Sequence, residues 1–143
     1  MSTVMIVDDE APVRALLTNY LRRAGHQVLD AESAHTAMQM LTAQPCDVVI
    51  CDVHMPGPNG LWLADRIRET SPSTAIVLCT GDSCVPPVES LKRGIVGYLV
   101  KPFPLADLAT FVNLGVSWAA QQRSRGDSTW TKESRCLGAP LTV

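Results

Sequence analysis

The sequence predicts an α/β fold, a parallel sheet covered by helices on both faces. Three observations carry this expectation. Short apolar, β-branched runs alternate along the chain with segments of helical period, five of each, as βαβ units do. Val48–Cys51 and Ala75–Cys79 are apolar without interruption, the pattern of central parallel strands buried on both faces. The 143 residues suffice for one domain with little left over.

The first strand is Thr3–Val7, which stops abruptly at Asp8-Asp9-Glu10. Val13, Leu16, Leu17, Tyr20 and Leu21 then recur at helical spacing, with Pro12 suited to the first turn and Gly25 to the stop. Gln27–Ala31 is the second strand. Ser33 is the expected N-cap of a helix carrying Ala34, Ala37, Met38 and Leu41, and Pro45 ends it. Val48–Cys51 runs into Asp52, and the loop Met55-Pro56-Gly57-Pro58-Asn59-Gly60 leads to an amphipathic helix over Leu61–Glu69. Ala75–Cys79 ends at Thr80-Gly81. A short helix over Val88–Arg93 precedes the fifth strand, Ile95–Val100, which ends at Lys101-Pro102. The last helix is predicted over Leu105–Ala120, with Leu105, Leu108, Ala109, Val112 and Val116 on one stripe. From about Gln122 the composition turns polar. We therefore expect a domain over 1–121 and a mildly basic tail or linker start over 122–143, partly disordered.

Composition narrows the function classes. Hydrophobic residues make up 46% and charged residues 18%, which excludes global disorder, and the 5% of aromatics leaves an aliphatic core. The net charge of −2 conceals a split, with 8 Lys and Arg against 12 Asp and Glu in residues 1–121 and 4 against 2 beyond. No overall basic excess points to nucleic acid or to an acidic membrane surface. The five cysteines are odd in number and lack CxxC spacing, so neither a disulfide framework nor a zinc site is expected, and a reducing cytoplasm is. The first residues do not read as a secretory leader, and no apolar run reaches membrane-spanning length.

Four strand ends deliver residues suited to handling a phosphoryl group: Asp8 and Asp9, Asp52, Thr80 with Gly81, and Lys101. In an open parallel sheet the carboxyl ends of the strands form the site, so residues distant in sequence converge there. Carboxylates at about 4 Å repel by several kcal/mol at an effective dielectric near 20, and a divalent cation relieves that repulsion. Oxygen ligands without a His or Cys cluster favour a hard ion, and Mg²⁺ commonly binds through one or two carboxylates plus waters. A carboxylate beside such an ion can attack phosphorus and become an aspartyl phosphate. Lys101 would supply a cation and Thr80 a hydroxyl to the transferring group, with Gly81 leaving room for entry.

These residues resemble the receiver domains of two-component response regulators. The likeness rests on Val7-Asp8-Asp9-Glu10, Asp52-Val53-His54-Met55-Pro56-Gly57, Thr80-Gly81 and Tyr98-Leu99-Val100-Lys101-Pro102-Phe103, and it covers residues 2–121. It implies a flavodoxin-like (βα)5 doubly wound parallel sheet with strand order 2-1-3-4-5. It also implies Asp52 as phosphoacceptor and Mg²⁺ held by Asp9 directly, by Asp8 through water, by Asp52 and by the His54 backbone carbonyl. Lys101 would bind a phosphoryl oxygen, and its peptide bond to Pro102 is often cis in this family. Thr80 would swing toward the phosphoryl and Tyr98 would turn inward with it, or Tyr98 is simply packed. His54 and Asp82 either tune attack by water on the acyl phosphate or point to solvent. The implied partner is a sensor histidine kinase or phosphotransfer protein, with a homodimer through the 88–93 helix, fifth strand and last helix as one option for the output face. Direct nucleic-acid binding by this domain and membrane association are not expected. The receiver would catalyse its own phosphorylation and dephosphorylation, a switch more than a metabolic enzyme.

Three departures fall near the output face: Pro86-Pro87, Ile95 where Ala is usual, and Gly97 where an acid is frequent. Other readings stay open. The chain could be one part of a longer regulator with a C-terminal output domain. A phosphohydrolase with an aspartyl nucleophile, as in haloacid-dehalogenase-like enzymes, would place a DxD pattern on the first strand, where this chain has Asp8-Asp9-Glu10. A degenerate receiver that only binds protein would not need the intact acids and Lys101.

Overall fold

A computed structural model describes residues 2–81 and 92–125. Its elements run β1 (Thr3–Val7), α1 (Ala11–Arg23), β2 (Gln27–Ala31), α2 (Ala34–Ala43), β3 (Val48–Asp52), α3 (Gly60–Thr70), β4 (Ala75–Thr80), β5 (Ile95–Val100) and α4 (Leu105–Arg125). The five strands pair in the order β2-β1-β3-β4-β5, all parallel. This is the doubly wound sheet that the alternation predicts. The expected helix over Val88–Arg93 falls mostly outside the described residues, as do Asp82 and Pro86-Pro87.

Local signals account for the helix starts. Ser33 Oγ accepts the amide of Thr36 at 3.2 Å, the N-cap bond its position predicts. Asn59 caps α3 in the same way, accepting Trp62 N at 2.9 Å. Pro12 sits in the first turn of α1, where its missing N–H costs nothing.

Every residue of β3 and of β4 is buried, as their unbroken apolar sequences require. Alternate side chains of the sheet divide between two cores. Met5, Val7, Val49, Cys51 and Leu78 pack with Leu63 and Ile67 of α3 on one face. Val4, Ile6, Ile50, Val77 and Cys79 pack with Leu17 and Leu21 of α1 and with Leu108 and Val112 of α4 on the other. Cys46, Cys51 and Cys79 are buried free thiols. Burial pushes Cys46 and Cys79 up to about 12 and raises Cys51 as well, so these thiols stay protonated and unreactive at neutral pH.

One prediction of extent changes. The last helix runs to Arg125, past the expected Ala120, because its final turns have contacts of their own. Trp118 and Gln122 are buried there, and Arg123 Nη1 meets Asp47 Oδ1 at 2.7 Å. Among the described residues, no helix is long and apolar enough to cross a membrane.

Candidate functional site

The carboxyl ends of β1, β3, β4 and β5 lie side by side because the sheet order makes them neighbours. Asp8 extends β1 by one ladder bond, its amide donating to Ala31 O at 3.2 Å. Its carboxylate then turns back, and Oδ1 accepts the amide of Glu10 at 2.9 Å. Asp52 closes β3, and its Oδ1 accepts the amide of His54 at 3.1 Å. Thr80 closes β4, and its carbonyl accepts the amide of Lys101 at 2.7 Å, which fixes the residue after β5 beside it. From there Lys101 Nζ donates to Asp8 Oδ2 at 2.7 Å and to Asp52 Oδ2 at 3.2 Å. One ammonium thus joins strand ends far apart in the chain.

The electrostatics of this cluster are unbalanced. Asp8 is 2% exposed and Asp52 6% exposed, so water screens neither well. One carboxylate oxygen from each of Asp8, Glu10 and Asp52 lies within 4.8 Å of the other two. Lys101 is the cation in contact with all three, reaching Glu10 Oε1 at 3.8 Å. Burial opposes the charge on Lys101, but the hydrogen bond and charge of Asp8 and the charge of Asp52 outweigh it and hold its pKa above the ordinary lysine value. Among the described residues, three carboxylates against the Lys101 ammonium leave an excess of negative charge at a hard-oxygen site. That donor set fits a divalent cation such as Mg²⁺.

The structure places the sequence-predicted residues as follows. Asp8, Asp52, Thr80 and Lys101 converge. Asp9 is exposed and stands outside the three-carboxylate group, while Glu10, to which sequence reasoning assigned no role, lies within it. The signal for Glu10 was present in the acidic run. A chain that folds back to bond Glu10 N to Asp8 Oδ1 brings their carboxylates together. The His54 side chain is exposed, and its backbone amide is the group that touches Asp52. Gly81 is exposed, with open space where a Cβ would stand. Tyr98 is half-buried against the α2–α3 core. Asp82 lies outside the described residues.

A further residue is required by space. A Cβ on Gly60 would come within 2.4 Å of the Asp52 carbonyl oxygen and within 2.9 Å of Val53 Cα, both backbone atoms. The start of α3 therefore presses on the backbone at Asp52, and only glycine allows that approach.

The response regulator receiver domain family matches residues 4–113. The chain belongs to this family. It is 34% identical over 112 residues to the DNA-binding transcriptional regulator NtrC of Azospirillum brasilense, a match covering 78% of this chain and 23% of that protein. Among solved structures, the response regulator protein TrrA from Thermotoga maritima, in complex with Mg²⁺-BeF, superposes with a TM-score of 0.73 at 31% identity, covering 80% of this chain and 99% of that one. A response regulator receiver domain protein from Clostridium thermocellum superposes with a TM-score of 0.75 at 27% identity, covering 82% and 95%. The receiver thus spans about a quarter of the length of NtrC.

Two family-specific expectations can be compared with the receiver's geometry. The Lys101–Pro102 peptide is cis. Gly97, which replaces a frequent acid, lies directly under Phe111 of α4, where a Cβ would come within 2.4 Å of the ring. The ladder also slips there, Ile76 pairing with Ile95 but Val77 with Gly97, so β5 carries one extra residue across this step.

Proposed function

We propose that this receiver accepts a phosphoryl group on Asp52 from the phosphohistidine of a sensor histidine kinase or phosphotransfer protein. The observation that carries the reading is the Asp8–Lys101–Asp52 bridge, its two carboxylates buried, at the carboxyl edge of the sheet. In the transfer, an Asp52 carboxylate oxygen forms the bond to phosphorus. The P–N bond to the donor imidazole breaks, and its electron pair stays on the ring nitrogen. Lys101 lies within reach of Asp52 and would neutralise charge on a phosphoryl oxygen, and Thr80 would donate its hydroxyl to another. Mg²⁺ would be held among the carboxylates of Asp8, Glu10 and Asp52, which lie together, with Asp9 of the same turn and the His54 carbonyl completing the ligands. When bound, it offsets the negative charge of the acids and of the phosphoryl oxygens.

The receiver catalyses its own phosphorylation and dephosphorylation on this reading, and His54 would tune attack by water on the acyl phosphate. Movement of Thr80 and Tyr98 would carry the state of Asp52 to the face that includes β5 and α4, which would dock a target or a second copy of the chain. The receiver domain would extend to the end of α4 at Arg125, past the expected boundary at 121, and the residues beyond would lead to a further part of a longer regulator. The buried free thiols Cys46, Cys51 and Cys79 among the described residues support a reducing, cytoplasmic setting.

The test is labelling. Acetyl phosphate with Mg²⁺ should add an acid-stable, base-labile phosphoryl group to the native receiver and none to Asp52→Asn, read by intact mass. Labelling of Asp52→Asn to the native level would refute the assignment.

A further inference from the structure

We propose that Arg14 is a positioning residue for the metal-binding acids. It would set the Asp8–Asp9 peptide and, through it, the carboxylates that follow. This rests on the receiver reading above. The β1 ladder ends at the Asp8 amide, and the carbonyl of the same residue leaves the sheet. Arg14 Nη1 takes up that carbonyl at 2.6 Å. The guanidinium is itself held from the other side, its Nε donating to Asp30 Oδ2 at 3.3 Å. Its backbone amide bonds Glu10 O at 2.9 Å, so one residue grips both ends of the acidic turn. The side chain is only 18% exposed, which limits how well water could replace it.

The geometry has a specific consequence. Orientation of a peptide plane decides where the next residues project, and here they are Asp9 and Glu10. The Glu10 side chain makes no capping bond of its own, and the remaining brace inside the turn is the Glu10 amide on Asp8 Oδ1. Without Arg14 the Asp8 carbonyl loses its charged donor and the turn can rotate. Charge alone acts in the opposite direction. Removing a cation beside the acids would strengthen attraction for a divalent ion, so the sign of the change separates positioning from simple electrostatics.

The experiment compares the full chain with Arg14→Ala, Arg14→Lys and Asp30→Asn. Mg²⁺ affinity is measured by calorimetric titration, and the Mg²⁺ dependence of acetyl phosphate labelling by mass. Loss of a partner that orients metal-binding groups commonly weakens binding by about 10- to 100-fold. For Arg14→Ala we expect about tenfold weaker Mg²⁺ binding, with the labelling rate at saturating Mg²⁺ within about twofold of native. Arg14→Lys should recover part of the affinity, since an ammonium can still donate to one acceptor. Asp30→Asn keeps Arg14 but loosens it, and should weaken Mg²⁺ in the same direction by a smaller factor; this variant decides the matter should Arg14→Ala fail to fold. Unchanged or tighter Mg²⁺ binding in the folded variants overturns the role of Arg14 while leaving the site intact. Absence of Mg²⁺ binding by the native chain overturns the site reading and this inference together.

Discussion

Lys101 shows how a single side chain can belong to both stability and chemistry. Its ammonium separates two buried carboxylates, and deleting it leaves Asp8 and Asp52 facing each other with little water between. Removing one partner from a fully buried ionic cluster costs about 3–5 kcal/mol. Lys101 is 19% exposed, so we expect a smaller loss for Lys101→Ala, about 1–3 kcal/mol in chelator, with much of it recovered on adding Mg²⁺. Denaturant titration with and without Mg²⁺ checks both; an unchanged midpoint in chelator would rule out a stabilising bridge. The pH dependence follows from sign. Because the folded-state pKa of Lys101 is raised, its contribution is complete below the ordinary lysine value near 10.5 and is lost as pH rises through the higher folded value. Between neutrality and about pH 9 the bridge itself should therefore add no slope to the stability curve.

At the scale of the element, the start of α3 is the sharpest constraint. Asn59 caps the helix, Gly60 opens it, and Gly60 lies against the backbone of Asp52 and Val53. The colliding atoms are backbone, so a methyl group could be relieved only by moving the helix or the end of β3. Overpacking of this kind costs about 1–3 kcal/mol. Gly60→Ala should lose that much stability and label more slowly with acetyl phosphate. Native values of both would mean that α3 can shift freely. Gly97 beneath Phe111 differs in kind, because the obstacle there is a half-buried ring at the surface of the fold. The absence of an acid at Gly97 is thus matched by the aromatic ring that covers it.

At the scale of the whole molecule, α4 ties the two edges of the sheet together. It begins shortly after Lys101 at the site edge and extends about 30 Å at 1.5 Å per residue over its 21 residues. Gly115 brings it close to Val48 and Ala75, and its last turns reach the opposite edge. There Asp47 accepts Arg123 at 2.7 Å and the amide of Thr3 at 2.8 Å, while Arg93 bonds Gln122 at 3.0 Å and lies over the Trp118 ring. Trp118 is therefore a packing residue. A chain ending at Ala120 should be less stable than one ending at Arg125 by about 1 kcal/mol, a few degrees in Tm for a domain of this size. Equal melting of the two would show that the last turn is held by nothing but helix continuity. Anything joined beyond Arg125 is thus linked through an anchored helix to both the segment before β5 and the first strand.

The sequence by itself determined the strands, their parallel arrangement and the residues at their carboxyl ends. Continuous apolar runs can be satisfied only by burial on both faces, and an abrupt acid, threonine or lysine after such a run marks where burial stops. Likeness to a known family supplied the strand order and the roles. What the linear pattern could not contain were the contacts made across neighbouring strand ends and helices. Glu10 joins Asp8 and Asp52 only because the turn after β1 folds back. Arg14 reads as the polar face of an amphipathic helix until β2 brings Asp30 beside it. Gln122 reads as the start of a polar tail, yet the packing of Arg93 and Trp118 buries it. Periodicity reports one residue's exposure to an average neighbour, whereas these three depend on particular partners that only the tertiary fold brings within hydrogen-bonding distance.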